Sequence, residues 1–246
     1  MNPVVKPVAF FKLDSGGNTS CLALNGSDQY LSLALPAANL AISGNQTREC
    51  WVKFAALPAV SVVMIQTAIW NSPVAQRASF IGLYNNAGSY EYRGYVQDPS
   101  VGLQIIRWPW AGVATDVFYH IGWTYKPDEA DVTEQEWFLG GVSQGNGIIQ
   151  QGNGSTEMQA PSAGNFTVGS DGNGNSRTNG RIDDVRVWDD IRTPTEIADN
   201  MSVELVGDEP NLQGYWKMNG GALDSGPNGY DLTENNSPTY PEDPAF

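Results

Sequence analysis

"GRIDDVRVWDDIRTPTEIADN", running from Gly180 to Asn200, sets six acidic residues and three arginines around an apolar centre. Catalytic acid chemistry, a cation site, or a strand running into a helix would each use such a stretch. Successive side chains of a strand point to opposite faces. Ile182, Asp184, Arg186 and Trp188 therefore fall on one face, and Asp183, Val185, Val187 and Asp189 on the other. Asp183 and Asp184 are expected on opposite sides, which excludes them as one acid–base pair. Asp184 and Arg186, two apart, are expected to pair with each other. Further on, Thr193-Pro194-Thr195-Glu196 has the spacing of a capping box. Thr193 sits at the N-cap, Pro194 at the first helical position, and Glu196 reaches back to the cap's backbone N–H. The spacing predicts a helix of about two turns, near 193–200. The stretch reads as a strand followed by a capped helix.

The rest of the chain has the same character. Short alternating segments separated by Gly, Asn and Pro turns recur throughout its 246 residues, with 27 Gly and 15 Pro, which is an all-β pattern. "CLALNGSDQYLSLAL" reads as two strands about a turn at Asn25–Asp28, and "ECWVKFAAL" and "VSVVMIQTAIW" as a second pair. "SFIGLYNN", "YEYRGYVQ" and "VGLQIIRW" form a middle group, and "VFYHIGWTYK" with "EQEWFLGGV" a hairpin. "GNFTVGS" and "GRIDDVRVW" bracket a Gly/Asn-rich loop. "LQGYWKMN" is a further strand, followed by a turn-rich tail with a short strand around Tyr230 to Thr233. No linker, charge block or repeat divides the chain, so one domain over 1–246 with extended ends is expected.

Bulk properties restrict function. Hydrophobic residues make up 41% of the chain, with 8 Trp, 10 Tyr and 8 Phe, so disorder is excluded. Net charge is −14, from 27 acids against 13 bases. A nucleic-acid partner is excluded, because phosphate binding needs a basic stripe. No apolar run approaches the roughly 20 residues that span a bilayer, and the N-terminal stretch has no signal-peptide pattern. Cys21 and Cys50 are too few for a disulfide scaffold. One bridge over about 30 residues, worth a few kcal/mol, and two buried thiols both remain open.

The stretch around Trp188 resembles the G-x-I-D-E-V-R-I-W strand, and following Thr/Ser-x-x-Glu-Ile helix, of laminin-G-like, pentraxin-related domains of the concanavalin A-like lectin/glucanase superfamily. Gly180, Ile182, Asp183, Val185, Arg186, Val187 and Trp188 match, with Asp184 in place of Glu. Four further segments resemble the family in the same order: "LALNGSDQYLSL", "RECWVKF", "FYHIGWTYK" with "WFLGG", and "LVGDEPNLQGYWKMNGGALDSGPNG". Together they cover the chain from about Leu22 to Thr233, apart from the region between Val62 and Val117. The resemblance implies a jelly-roll β-sandwich of two antiparallel sheets. It also implies core roles for Trp51, Trp123, Trp188 and Trp216, and structural roles for Tyr30 and for His120, the one histidine.

Enzymes and lectins both use this fold, so function has to be read from residues. The E-x-D-x-x-E pattern of retaining glucanases, which spaces two carboxyls ~5–5.5 Å apart, is absent; Glu134 and Glu136 are the nearest approach. Triad chemistry would require His120 as its base. A non-catalytic carbohydrate-binding module is therefore expected, with a structural or adhesive protein of an assembly such as a phage particle as the alternative, and a glycan hydrolase or lyase behind both. Location is expected at an extracellular or virion surface, where the extended ends, "MNPVVKPVAFF" and "SPTYPEDPAF", would dock on neighbours.

Candidate ligand-binding residues are Trp108, Trp110, Trp70, Tyr92, Tyr95 and Arg107, since sugar C–H faces stack on flat aromatic rings. Trp108 and Trp110 flank Pro109, which is expected to interrupt pairing and leave both rings on an exposed loop; core packing is the other reading. Arg107, with Arg93 and Gln97, offers hydrogen bonds to hydroxyls or to an acidic sugar. A structural Ca²⁺ is expected from "DGNGNS", whose Asp171, Asn173 and Asn175 alternate as oxygen ligands. Asp183 or Asp28 would complete such a site.

Overall fold

The computed structural model describes residues 17–35, 40, 42–66, 79–98, 102–127, 134–152 and 164–246. In chain order its strands are β1 (Leu22–Asn25), β2 (Tyr30–Leu35), β3 (Gln46–Phe54), β4 (Ser61–Gln66), β5 (Ser79–Asn86), β6 (Ser89–Asp98), β7 (Gly102–Pro109) and β8 (Phe118–Tyr125). There follow β9 (Gln135–Leu139), β10 (Val142–Ser143), β11 (Ile148–Gln151), β12 (Gly164–Val168), β13 (Asn179–Trp188), α1 (Pro194–Asn200), β14 (Leu212–Trp216) and β15 (Thr233–Asn235).

A seven-stranded sheet has the order β1-β13-β3-β8-β9-β10, with β14 also on β13. An eight-stranded sheet has the order β11-β7-β6-β5-β4-β12-β2-β15. Pairings between these strands are antiparallel. The two sheets face each other as a jelly-roll sandwich. Segments adjacent in sequence often part company: β1 and β2 enter different sheets, as do β3 and β4 and β12 and β13. The middle group β5-β6-β7 stays together as a meander. Its first turn has Ala87 at φ 50° and Gly88 at φ 93°, the left-handed conformations that fit a two-residue hairpin to twisted strands.

The inner faces interlock through aromatic side chains. Tyr92 of the eight-stranded sheet stacks on Trp137 of the seven-stranded sheet, at 4.8 Å and 12°. Around them lie Cys50, Val52, Phe54, Ile81, Leu83, Val96, Ile121 and Trp123. Trp108 and Trp110 belong to this core, 2% and 3% exposed, and the exposed-loop expectation for them is wrong. Pro109 ends β7 opposite Glu91, yet pairing continues past it, because the Trp110 N–H donates to the Tyr90 carbonyl at 2.9 Å. Trp108 and Trp110, two apart, then share the inner face; Trp110 meets Tyr119 edge-on at 5.1 Å. Tyr92 is likewise fully buried. Cys21 and Cys50 are buried free thiols.

The Gly180–Asn200 stretch forms β13 and α1 as expected, with the Thr193–Glu196 capping box complete. Gly180 is required: a Cβ there would meet the Lys53 carbonyl oxygen at 2.0 Å. One expectation fails. Asp183 pairs opposite Trp51 and Arg186 opposite Glu49, so β13 spends three residues where β3 spends two. Asp184, at φ 51°, sits in this β-bulge. The extra residue resets the alternation, turning Ile182, Val185 and Val187 inward and bringing Asp183 and Asp184 to the same outer side.

The C-terminal end lies on the chain's own sheet. Thr239 bridges to Ala23, Asp243 pairs with Lys53 and Arg181, and the Ala245 N–H donates to Asp183. The N-terminal residues 1–16 fall outside the described residues.

Candidate functional site

Each outer face of the sandwich carries a cluster of arginine, carboxylate and aromatic side chains. On the seven-stranded sheet the cluster is sealed. Arg186, fully buried, pairs with Asp184 at 2.5 Å and donates to the carbonyls of Asn200 at 3.0 Å and Val203 at 2.7 Å. Glu49 accepts from Trp188 Nε1 at 2.9 Å, and its other oxygen lies 3.4 Å from His120 Nε2. Trp51 Nε1 donates to the Met201 carbonyl at 2.7 Å, which ties α1 over the cluster. Asp183 accepts from Asn18 Nδ2 and from the Ala245 N–H.

Burial and charge act in opposition there. Burial pushes the Asp183 carboxyl well up, with the charge of Asp184 adding to it. Asp184 is also raised by burial, against the pull of Arg186, Tyr215 and His120. For Glu49, burial is outweighed by the hydrogen bond and charge of His120, the charge of Arg186 and the hydrogen bond from Trp188, so its carboxyl is lowered. Charges held this way brace the fold: the single histidine is 1% exposed, out of reach of a polymeric substrate.

On the eight-stranded sheet the strand period turns Glu91, Arg93, Tyr95 and Gln97 of β6 outward, while Tyr92 and Val96 enter the core. Register places Tyr84 and Phe80 of β5, and Arg107 and Ile105 of β7, beside them. Glu91 is the hub. One carboxylate oxygen accepts from Arg93 Nε at 2.9 Å and Nη2 at 2.7 Å; the other accepts from Arg107 Nη1 at 2.7 Å and Asn86 Nδ2 at 3.3 Å. The Arg93 guanidinium lies 3.6 Å from the Tyr84 ring centre, and its Nη1 donates to the Tyr95 hydroxyl at 3.3 Å. Tyr95 stacks on Phe80 at 3.9 Å. Burial alone would raise Glu91, but hydrogen bonds from Arg93 and Asn86 and the charges of both arginines outweigh it and hold the carboxyl below its ordinary range.

Glu91 and Arg93 are buried, whereas Tyr84, Tyr95 and Arg107 are half-buried, and Asn86 and Pro109 exposed. A charged base thus supports an accessible aromatic and guanidinium rim. Arg107 and Tyr95, expected as ligand contacts, do meet on this face; Trp108, Trp110 and Tyr92 do not, and Trp70 lies outside the described residues. Tyr84 and Glu91 were missed. The signal for Glu91 was present: in "EYRGYVQ" a period of two puts Glu91, Arg93, Tyr95 and Gln97 on one face.

The residues expected at a cation site belong to separate networks. Asp171 Oδ1 accepts from the loop's own amides, Asn173 N at 3.0 Å and Asn175 N at 2.7 Å. Asp28 accepts from Asn25 Nδ2, and Asp183 is held beneath the C-terminal end. Among the described residues no group of three His, Cys, Asp or Glu side chains could hold a metal ion. Glu134 is buried and Glu136 accepts from the Ser143 hydroxyl.

Two facing antiparallel sheets of seven and eight strands, with one short helix laid outside, define a lectin-type jelly-roll sandwich. The chain belongs to the laminin-G-like family of the concanavalin A-like lectin/glucanases superfamily, whose family model matches residues 25–198. A presumptive carbohydrate binding protein from Bacteroides ovatus is similar in structure, with 17% identity and a TM-score of 0.61 over 92% of this chain. The chain spans 60% of that protein's length. Domain 4 of AbnA, a GH43 extracellular arabinanase from Geobacillus stearothermophilus, has 17% identity and a TM-score of 0.48, covering 76% of this chain and 82% of its own. The enzymatically active domain of tailspike protein 2 from bacteriophage CBA120 has 14% identity and a TM-score of 0.50, covering 83% and 34%. At these identities the likeness is one of fold. No curated protein sequence matches the chain.

Proposed function

We propose that this chain is a non-catalytic carbohydrate-binding module, which meets a polysaccharide or surface glycan on the outer face of its eight-stranded sheet. The observation that carries this reading is the half-buried Tyr84 ring, fixed by Arg93 and backed by the buried Glu91. A ring already held in place loses little side-chain entropy when a sugar stacks on it, and its amphipathic surface suits a sugar's mixed C–H and hydroxyl faces. Membership of a family that includes lectins supports the same reading. Such a module would work at an extracellular or virion surface.

The non-catalytic part rests on the carboxylates. Glu91 is kept ionised, which rules against a proton donor, and both its oxygens are engaged by arginines, which rules against a nucleophile. Glu49, Asp183 and Asp184 lie beneath α1 and the C-terminal end.

A glycan and polysaccharide array on the purified chain tests the proposal, with Tyr84→Ala alongside. Selective binding that weakens at least tenfold in the variant is expected. A blank array with the folded chain would overturn the reading and favour an assembly component instead.

A further inference from the structure

We infer that the glycan recognised on this face is anionic, carrying a carboxylate or sulfate group that Arg107 engages; this rests on the carbohydrate-binding reading above. The argument starts from charge. Among the positions that register turns outward on β5, β6 and β7, from Phe80 to Asn86, Ser89 to Gln97 and Leu103 to Pro109, there are two arginines and one acid. Glu91 therefore neutralises one guanidinium and leaves one positive charge over. That surplus sits on a chain whose net charge is −14.

Hydrogen bonding shows which arginine carries the surplus. All three nitrogens of Arg93 are used, by Glu91 and the Tyr95 hydroxyl, and its ring partner covers it. Arg107 spends only Nη1, on Glu91. Its Nη2 has no hydrogen-bond partner among the described residues, and its Nε is shut off from solvent without one. The side chain is 27% exposed, against 9% for Arg93.

A guanidinium braced through Nη1, with Nη2 left to solvent, is arranged to give an oxyanion a charge-assisted hydrogen bond. An approaching oxyanion would satisfy Nη2, the nitrogen left without a partner on the solvent side. Sugar hydroxyls offer no compensating charge. Uronates and sialates bring a carboxylate and sulfated glycans a sulfate, so both share the chemistry that Arg107 would recognise. Because the rest of the chain repels polyanions, attraction should be local to this rim and weakened by salt.

Isothermal titration calorimetry of the full chain with oligogalacturonate, sulfated dextran oligomers and neutral dextran oligomers tests this. Wild type should bind at least one anionic probe about tenfold or more tightly than the neutral one, as one charge-assisted hydrogen bond would give. Arg107→Gln should bring that preference ratio close to one, and Arg107→Lys should restore part of it. A preference for oligogalacturonate assigns the carboxylate, for sulfated dextran the sulfate. Equal binding of charged and neutral probes, in wild type and Arg107→Gln alike, would overturn the anionic inference and leave carbohydrate binding standing. If the folded wild type binds none of the three and no array glycan, both readings fall.

Discussion

The two outer faces of the sandwich use the same ingredients in different settings. Beneath α1, Arg186, Asp184, Glu49, His120 and Trp188 are 0–2% exposed. On the eight-stranded sheet, Glu91 and two arginines are braced by Tyr84, but the rim of that cluster reaches solvent. In the first setting both terminal nitrogens of Arg186 are turned to fold partners, a carboxylate or a carbonyl that closes α1 onto the sheet. In the second, Arg93 serves the fold while Arg107 keeps Nη2 in reserve. Burial, rather than residue type, separates charge that holds a structure together from charge that can meet a ligand.

The largest effect should come from the sealed face. Arg186→Met should cost about 3–5 kcal/mol in urea denaturation, since it strands buried Asp184 without its partner and leaves two carbonyls unpaired. A loss below about 1 kcal/mol would remove the contrast between the faces. Trp108→Ala should be comparable, at about 3–5 kcal/mol; an unchanged denaturation midpoint would return Trp108 to the surface as a platform residue.

Glu91→Gln should cost about 2 kcal/mol at neutral pH, the scale of hydrogen bonds to a charged group. The Glu91 carboxyl is lowered in the folded chain, so its contribution is present above the unfolded value of about 4.3 and is lost as pH falls through the folded value. Midpoints of wild type and variant should therefore converge in acid. Asp183→Asn should behave in the opposite way. Asp183 is raised, so its contribution is full below the unfolded value of about 3.9 and is lost as pH rises toward the folded one. The Asn variant should match wild type in acid and be no less stable at neutral pH. A variant that loses stability as pH rises from 4 to 7 would show Asp183 to be ionised and paired. Smallest should be Arg107→Gln, about 1 kcal/mol or less, because the half-buried pair with Glu91 is lost while Arg93 and Asn86 still hold that carboxylate; a larger loss would place Arg107 with the fold-bracing charges.

Much of this was legible in the residues. Alternation and turn chemistry gave an all-β chain, the Thr193–Glu196 capping box gave α1 with its N-cap, and five ordered segments pointed to the family. Those signals are local, since a strand's period and a helix cap are set by neighbouring residues. The candidate site is half legible: Arg107 and Tyr95 lie on the outer face, while for Trp108, Trp110 and Tyr92 the core reading, the alternative to a ligand platform, is the one the structure takes. The missing information was the side of the sheet, because alternation says that Arg107 and Trp108 part but not which of them meets the other sheet. Aromatic content is compatible with sugar stacking and with core packing alike, and packing against the other sheet decides for the core.

By itself, then, the sequence determined the strands, the helix and the excess of acid. Only the tertiary structure decided which face of each strand is buried, since that depends on a partner sheet distant in the chain. It also decided that one extra residue at Asp184 turns two neighbouring aspartates the same way. A bulge is a disagreement in length between two paired strands, so it cannot be seen in either strand alone.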